Sequence, residues 1–582
     1  MKCTCLPAVL LAFAFFILNG SAVARPEEGR VPPLGSHTLV FDPEMSDASI
    51  QTKVDAIFRQ QEKAEFGTER YALLFKPGTY HVNLRVGFYT QVLGLGALPD
   101  DTKIIGHVSA DARWAHGNAT VNFWREVENL EIVPDGGVEK WAVSQASPLR
   151  RVHVSGDLAL DDHGWSSGGF ISDSTIDGTV HSGHQQQWIT RNSRIGSWES
   201  SNWNMVFVGV DGAPLESFPR PPYVTVDRAP RSVEKPFLFL DEHKGLGVAV
   251  PALARDVRGV DWSPKVGEAG FLAVADFYIA DPQRDSAATL NAALKMGKNV
   301  LLTPGIYPLQ NALRIERANT VVLGLGLATL EPISGNVAIE VADVDGVKLA
   351  GLLISAGEKP SALLVQIGTA ESERRHAENP SVLSDVFFRL GGAGIGRADT
   401  ALTVNSADVI GDDLWIWRAD HGDGAGWEKN ISAHGLVVNG AGVTMYALAV
   451  EHFQKAQTVW NGEDGRTYFY QSEEPYDVPS QSAWSTERGL GYPSYEVGAG
   501  VKTHEAWGLG VYCFFHRTPS VKLSSAIVAP ASAGVRFHDV TTISLGGGVG
   551  EITHLVNEVG DAAMPGHIRS TLIAYPQDES QK

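Results

Sequence analysis

Two stretches of this chain recur at long range, and that recurrence limits the fold more than any other feature. Leu73-Leu74-Phe75-Lys76-Pro77-Gly78-Thr79-Tyr80 returns as Leu301-Leu302-Thr303-Pro304-Gly305-Ile306-Tyr307. Val92-Leu93-Gly94-Leu95-Gly96 returns as Val322-Leu323-Gly324-Leu325-Gly326. The offsets are 227 from Pro77 to Pro304 and 230 from Val92 to Val322, so two related halves begin near residues 36 and 271. Each opens with apolar residues at helical spacing, over Ile50 to Gln61 and Ala287 to Met296. Short apolar runs follow, such as Ala401 to Val404 and Gly435 to Val438, punctuated by Asn-Gly, Asp-Gly and Gly-Gly turns. Strands without intervening helices argue against a parallel sheet built with crossover helices. A sandwich, a propeller or a β-solenoid remains. The segment Val341 to Ile354 favours the solenoid, in which apolar side chains recur once per rung and stack on their neighbours. The duplication predicts two halves of similar length.

The first 24 residues read as an export leader. Lys2 is its positive end, Leu6 to Leu18 its apolar stretch, and Ala22-Val23-Ala24 its cleavage site. Thirteen apolar residues are short for a membrane span, which needs about 20. The expectation is therefore a protein secreted to an extracellular or periplasmic space, with no membrane span and as a monomer. Cys3 and Cys5 leave with the leader, and Cys513 alone cannot form an intramolecular disulfide or a cysteine-based zinc site. With 67 Asp+Glu against 47 Lys+Arg, a net charge of −20 argues against a nucleic-acid partner. No metal site and no cofactor are expected.

Carboxylates cluster at Asp161-Asp162-His163, at Asp412-Asp413 and at Asp420-His421-Gly422-Asp423. Asp and Gly together are ordinary turn chemistry. The third cluster lies just after Trp415 and Trp417, and aromatic faces beside carboxylates suit sugars. More specific is Glu451 with Glu473, 22 residues apart and each at the end of a strand-like run. If that spacing is one solenoid rung, their backbones stack about 4.8 Å apart on one face. Two carboxylates that close raise one pKa, giving a proton donor beside an ionised partner, which glycoside hydrolysis requires.

Five motifs, in order and spacing, resemble glycoside hydrolase family 55, the exo-acting β-1,3-glucanases or laminarinases. They are Trp141 to Leu149, Ser167 to Asp173, Gln185 to Asn192, Val450-Glu451-His452 and Gln471 to Tyr476. The resemblance covers nearly the whole chain after the leader. It implies an all-β fold of two tandem right-handed parallel β-helices, pectate-lyase-like β-solenoids packed side by side, with the active cleft between them. The first would occupy residues 25–270 and the second 271–582. It implies Glu473 as general acid, and Glu451, Gln145 and Ser167 as the group that holds the nucleophilic water. Trp415, Trp417 and Tyr476 would be sugar-stacking platforms, with Asp420 and His421 beside them binding substrate. The implied partner is a β-1,3-glucan, cleaved from chain ends with inversion of configuration. Where fungal members of the family tend to carry Thr, this chain has Glu474, so either of two adjacent glutamates could be the acid. Strand alternation points them to opposite faces.

Two alternatives remain open on the sequence. One is a pectinase-like hydrolase of another polysaccharide using Asp412, Asp413 and Asp420. The other is a non-catalytic carbohydrate-binding solenoid, which would keep the tryptophans and have no use for Glu473.

Overall fold

A computed structural model describes Met1 and residues 31–262, 270–487 and 489–577. The leader expected over residues 1–24 lies, Met1 apart, outside these. The two openings are built alike. Ser46 and Ser286 cap the helices Asp47–Gln61 and Ala287–Lys295, accepting from the backbone N–H three residues on. The Tyr80 hydroxyl donates to the carbonyls of Lys76 and Phe41, and Tyr307 donates to those of Thr303 and Ala280. Gly78 and Gly305 have φ of +146° and +156°, and a Cβ there would meet Pro43 at 2.7 Å and Pro282 at 2.4 Å. The duplicated Pro-Gly segments thus fill equivalent positions, and glycine is required at both.

Beyond the openings the protein is nearly all β, and its long ladders are parallel. In the first half one ladder runs from Thr38–Phe41 to Tyr223–Val226 within a 15-stranded sheet. In the second, a 12-stranded sheet runs from Phe277–Ala280 to Gly534–Ser544, where antiparallel Arg569–Tyr575 ends it. A nine-stranded sheet, Leu313–Ile315 to Glu551–Val556, accompanies it. Parallel strands covered on both faces are buried throughout, and Val382–Leu390 is buried at every position, its Asp385 and Arg389 included.

The halves are unequal, contrary to the expectation of similar length. The first ladder stops at Val226, and the strands Ala229–Ser232, Phe237–Asp241, Gly245–Ala249, Ala254–Val257 and Phe271–Ala273 form small antiparallel sheets instead. Leu246 and Val248 there join an apolar cluster with Leu74 of the first half and Leu323 of the second.

Each half has its own core, and further clusters join them. Phe88, Tyr89, Phe123 and Trp124 pack with Leu353, Phe387, Trp415 and Trp417. A buried ionic layer joins the halves as well. Arg150 bonds Asp385 at 2.7 Å and Asp412 at 2.7 Å, Arg191 bonds Asp412 at 2.9 Å, and Lys235 bonds Asp385 at 3.0 Å. Buried charges at this density persist only when paired and hydrogen-bonded, so the layer fixes how the two halves meet. Among the described residues no helix is long and apolar enough to cross a membrane. Cys513 is free and buried.

Candidate active site

The strands Thr444–Glu451 and Gly465–Glu473 are parallel neighbours in a register that sets Ala449 opposite Gln471. The amide of His452 donates to the carbonyl of Glu473 at 2.8 Å. A spacing of 22 residues is therefore one step of the ladder here, and Glu451 and Glu473 end adjacent strands. Both line a cavity of about 260 Å³ at the junction of the halves. Gln145, Ser167 and Gln186 enter it from the first half, and Trp415, Trp417, Asp420, His421, His452 and Tyr476 from the second. All nine residues expected from the sequence to form the site are in this wall.

Hydrogen bonds join them across the junction. Gln145 Nε2 donates to Glu451 Oε1 at 2.8 Å and lies 3.5 Å from Ser167 Oγ. The Trp415 indole N–H donates to Glu451 Oε2 at 2.8 Å. The Tyr476 hydroxyl donates to Glu473 Oε2. Tyr476 is thus a hydrogen-bond partner of the glutamate as well as an aromatic surface. Trp415 and Trp417 are 2% and 1% exposed, with ring centroids 5.0 Å apart, and Phe66 stacks on Trp417. They form a packed wall rather than free-standing platforms.

Electrostatics separate the carboxyls. Burial lifts Glu473 well above the usual carboxylate range, and the charges of Glu451 and Asp420 push the same way. Burial lifts Glu451 to about 7, opposed by hydrogen bonds from Trp415, Gln471 and Gln145 that favour its ionised form. Asp420 behaves oppositely. Burial works against its charge, yet His452 and the hydrogen bond from His421 hold it down to about 2. One pocket thus holds a carboxyl kept protonated, one poised near neutrality and one kept ionised.

Adjacent Glu474 lies just past the end of the strand. It is fully buried, accepts from Gln457 Nε2 at 3.4 Å, and is not in the cavity wall. The pectinase-like grouping comes apart. Asp412 is held by Arg150 and Arg191 in the ionic layer, and of Asp412, Asp413 and Asp420 only Asp420 lines this cavity. Asp161 and Asp162 bond His184 and Lys140, away from the cavity.

A family model, the LAM55 pectate lyase-like domain, matches residues 277–473. An exo-beta-1,3-glucanase from Streptomyces sp. (strain SirexAA-E / ActE) is 49% identical over 549 residues, 93% of this chain and 90% of that one. The chain belongs to glycoside hydrolase family 55. The solved structure of sacteLam55A from Streptomyces sp. SirexAA-E superposes on this family 55 chain with a TM-score of 0.92 at 48% identity. It covers 94% of this chain and 100% of that one. A glutamate-to-alanine variant of sacteLam55A in complex with glucose matches with the same TM-score, identity and coverage.

This family 55 site contains residues that sequence reasoning missed. Gln471 accepts from Gln145 Nε2 at 3.3 Å, and its own Nε2 lies 3.4 Å from Glu473 Oε1, linking the two glutamates' surroundings. Its signal was available, since it stands two residues before Glu473 and shares its strand face. Thr120, Val121, Phe123 and Leu545 also line the cavity and carry no local motif.

Proposed function

We propose that this protein is a glycoside hydrolase that removes glucose units from the ends of β-1,3-glucan chains with inversion of configuration. The observation that carries this is the meeting of Gln145 from one half with Glu451 and Glu473 from the other in a single cavity. The family relative's activity supports the choice of glucan. Glu473, kept protonated, gives its proton to the glycosidic oxygen as the bond to the anomeric carbon breaks. Water held among Gln145, Ser167 and Glu451 bonds that carbon from the opposite side, and its proton passes to Glu451. Asp420, His421 and the Trp415, Trp417 and Tyr476 surfaces hold the terminal sugar.

The architecture behind this cleft is two right-handed parallel β-helices side by side, residues 25–270 and 271–582. The parallel ladders and the handedness preferred by parallel connections support that arrangement. Export follows cleavage near Ala24, and N-terminal sequencing of the secreted protein tests it.

Two measurements test the chemistry. Glu473→Gln should lower turnover on laminarin by about 10²–10⁴-fold, the usual contribution of a general acid. Proton NMR at early times should show α-glucose first. Full turnover by Glu473→Gln removes the assigned acid, and β-glucose appearing first makes Glu451 a nucleophile.

A further inference from the structure

One carboxylate acts on the pocket from behind its wall. Glu65 lies in the turn after helix Asp47–Gln61, in the first half, and does not line the cavity. Its Oε1 stands 2.5 Å from His421 Nε2, and His421 Nδ1 lies 2.9 Å from Asp420 Oδ1. Both ring nitrogens therefore face carboxylates, an arrangement that only a doubly protonated imidazole satisfies. The turn is pinned where this contact needs it. The Tyr89 hydroxyl donates to the Glu65 carbonyl at 2.6 Å. The Phe66 ring lies parallel to Trp417 and rests on Gly392 and Gly422, where a Cβ would come within 2.4 and 2.6 Å of it.

We propose that Glu65 is a positioning residue of the pocket: it holds His421 as a cation and, through it, keeps Asp420 ionised and aimed at the terminal sugar. This rests on the pocket being the glucan-cleaving site. Asp420 shares that pocket with Glu451 and Glu473, so one proton has three carboxyls to choose from. A fixed cation behind Asp420 decides the choice, leaving Asp420 as a hydrogen-bond acceptor for sugar hydroxyls and the proton on Glu473. Burial disfavours the charge on His421, but the carboxylates of Asp420 and Glu65 outweigh it and raise the imidazole to about 10. His452 stands 3.8 Å from the same Oδ1 and also favours the ionised form of Asp420, while burial pushes its own pKa down. Glu451 and Glu473 face the same carboxylate from their adjacent strands.

The test uses the full-length enzyme and laminaritriose, with initial rates measured across pH. Glu65→Gln keeps the side chain's size and removes its charge, so His421 returns toward its ordinary range near 6.5. KM for Glu65→Gln should exceed the wild-type value about tenfold near pH 8, the lower end of what a charge-assisted hydrogen bond contributes. The increase should shrink near pH 5.5, where the imidazole is protonated without Glu65, and kcat should change less than KM. His421→Gln, which can bond Asp420 and cannot carry charge, should raise KM at every pH. Adding Glu65→Gln to it should do nothing more, because Glu65 acts only through His421. Wild-type KM values in folded Glu65→Gln at all pH, or full additivity in the double variant, would overturn the role of Glu65. If Glu65→Gln does not fold, wild-type KM in His421→Gln refutes it alone. Glu473→Gln separates the two levels: a dead Glu473→Gln beside a normal Glu65→Gln rejects Glu65 only, and an active Glu473→Gln rejects the pocket itself.

Discussion

Replacing Trp415 with Phe removes one hydrogen-bond donor from the site and leaves an aromatic ring in its place. The indole N–H donates to Glu451 Oε2 at 2.8 Å, and Glu451 is 3% exposed. A hydrogen bond to a charged group contributes about 1.5–3 kcal/mol, and one pH unit corresponds to about 1.4 kcal/mol. The bond favours ionised Glu451, so its loss raises that carboxyl's pKa further above about 7. If Glu451 must be ionised to take the water's proton, the acidic limb of the kcat/KM profile moves up by about one to two pH units. The basic limb, set by Glu473, moves little. The phenyl ring keeps the packing against Trp417 and Phe123, whose centroids lie 5.0 and 4.9 Å away. The measurement is kcat/KM on laminaritriose from acid to alkaline pH, with circular dichroism to confirm folding. Trp417→Phe is the control, because it removes an equally buried indole that does not bond Glu451. An unmoved acidic limb in Trp415→Phe, or the same movement in both variants, would refute the assignment of Glu451 as the group that receives the proton.

Arg150→Met should cost about 3–5 kcal/mol in urea unfolding, since it leaves buried Asp385 and Asp412 short of a partner; Lys235 and Arg191 still pair them, so the lower end is expected. A loss below about 1 kcal/mol would mean the ionic layer does not hold the halves together. Gly78→Ala and Gly305→Ala should each destabilise by more than about 1 kcal/mol, because each places a Cβ against proline at a φ that side chains avoid. A marked loss at one and none at the other would break the equivalence of the two openings.

The ladder was legible in the sequence because it is periodic. The duplicated Pro-Gly and Gly-Leu-Gly segments located both openings, and 22 residues between Glu451 and Glu473 proved to be one ladder step. The antiparallel strands after Val226 were not, since apolar runs such as Phe237–Asp241 look the same whichever direction their neighbour takes. Within the site, residues in the recognised motifs were found, Gln145 and Ser167 of the first half among them, and Glu65, which carries no motif, was not. Asp412-Asp413 and Asp420-His421 are equally suggestive as sequence. What separates them is Arg150, 262 residues from Asp412, and Glu65, 356 residues from His421. A guanidinium turns the first cluster into a structural charge pair. A carboxylate turns the second into a cation that keeps Asp420 ionised beside two glutamates. The same residue types thus acquire opposite uses from contacts that cross the junction.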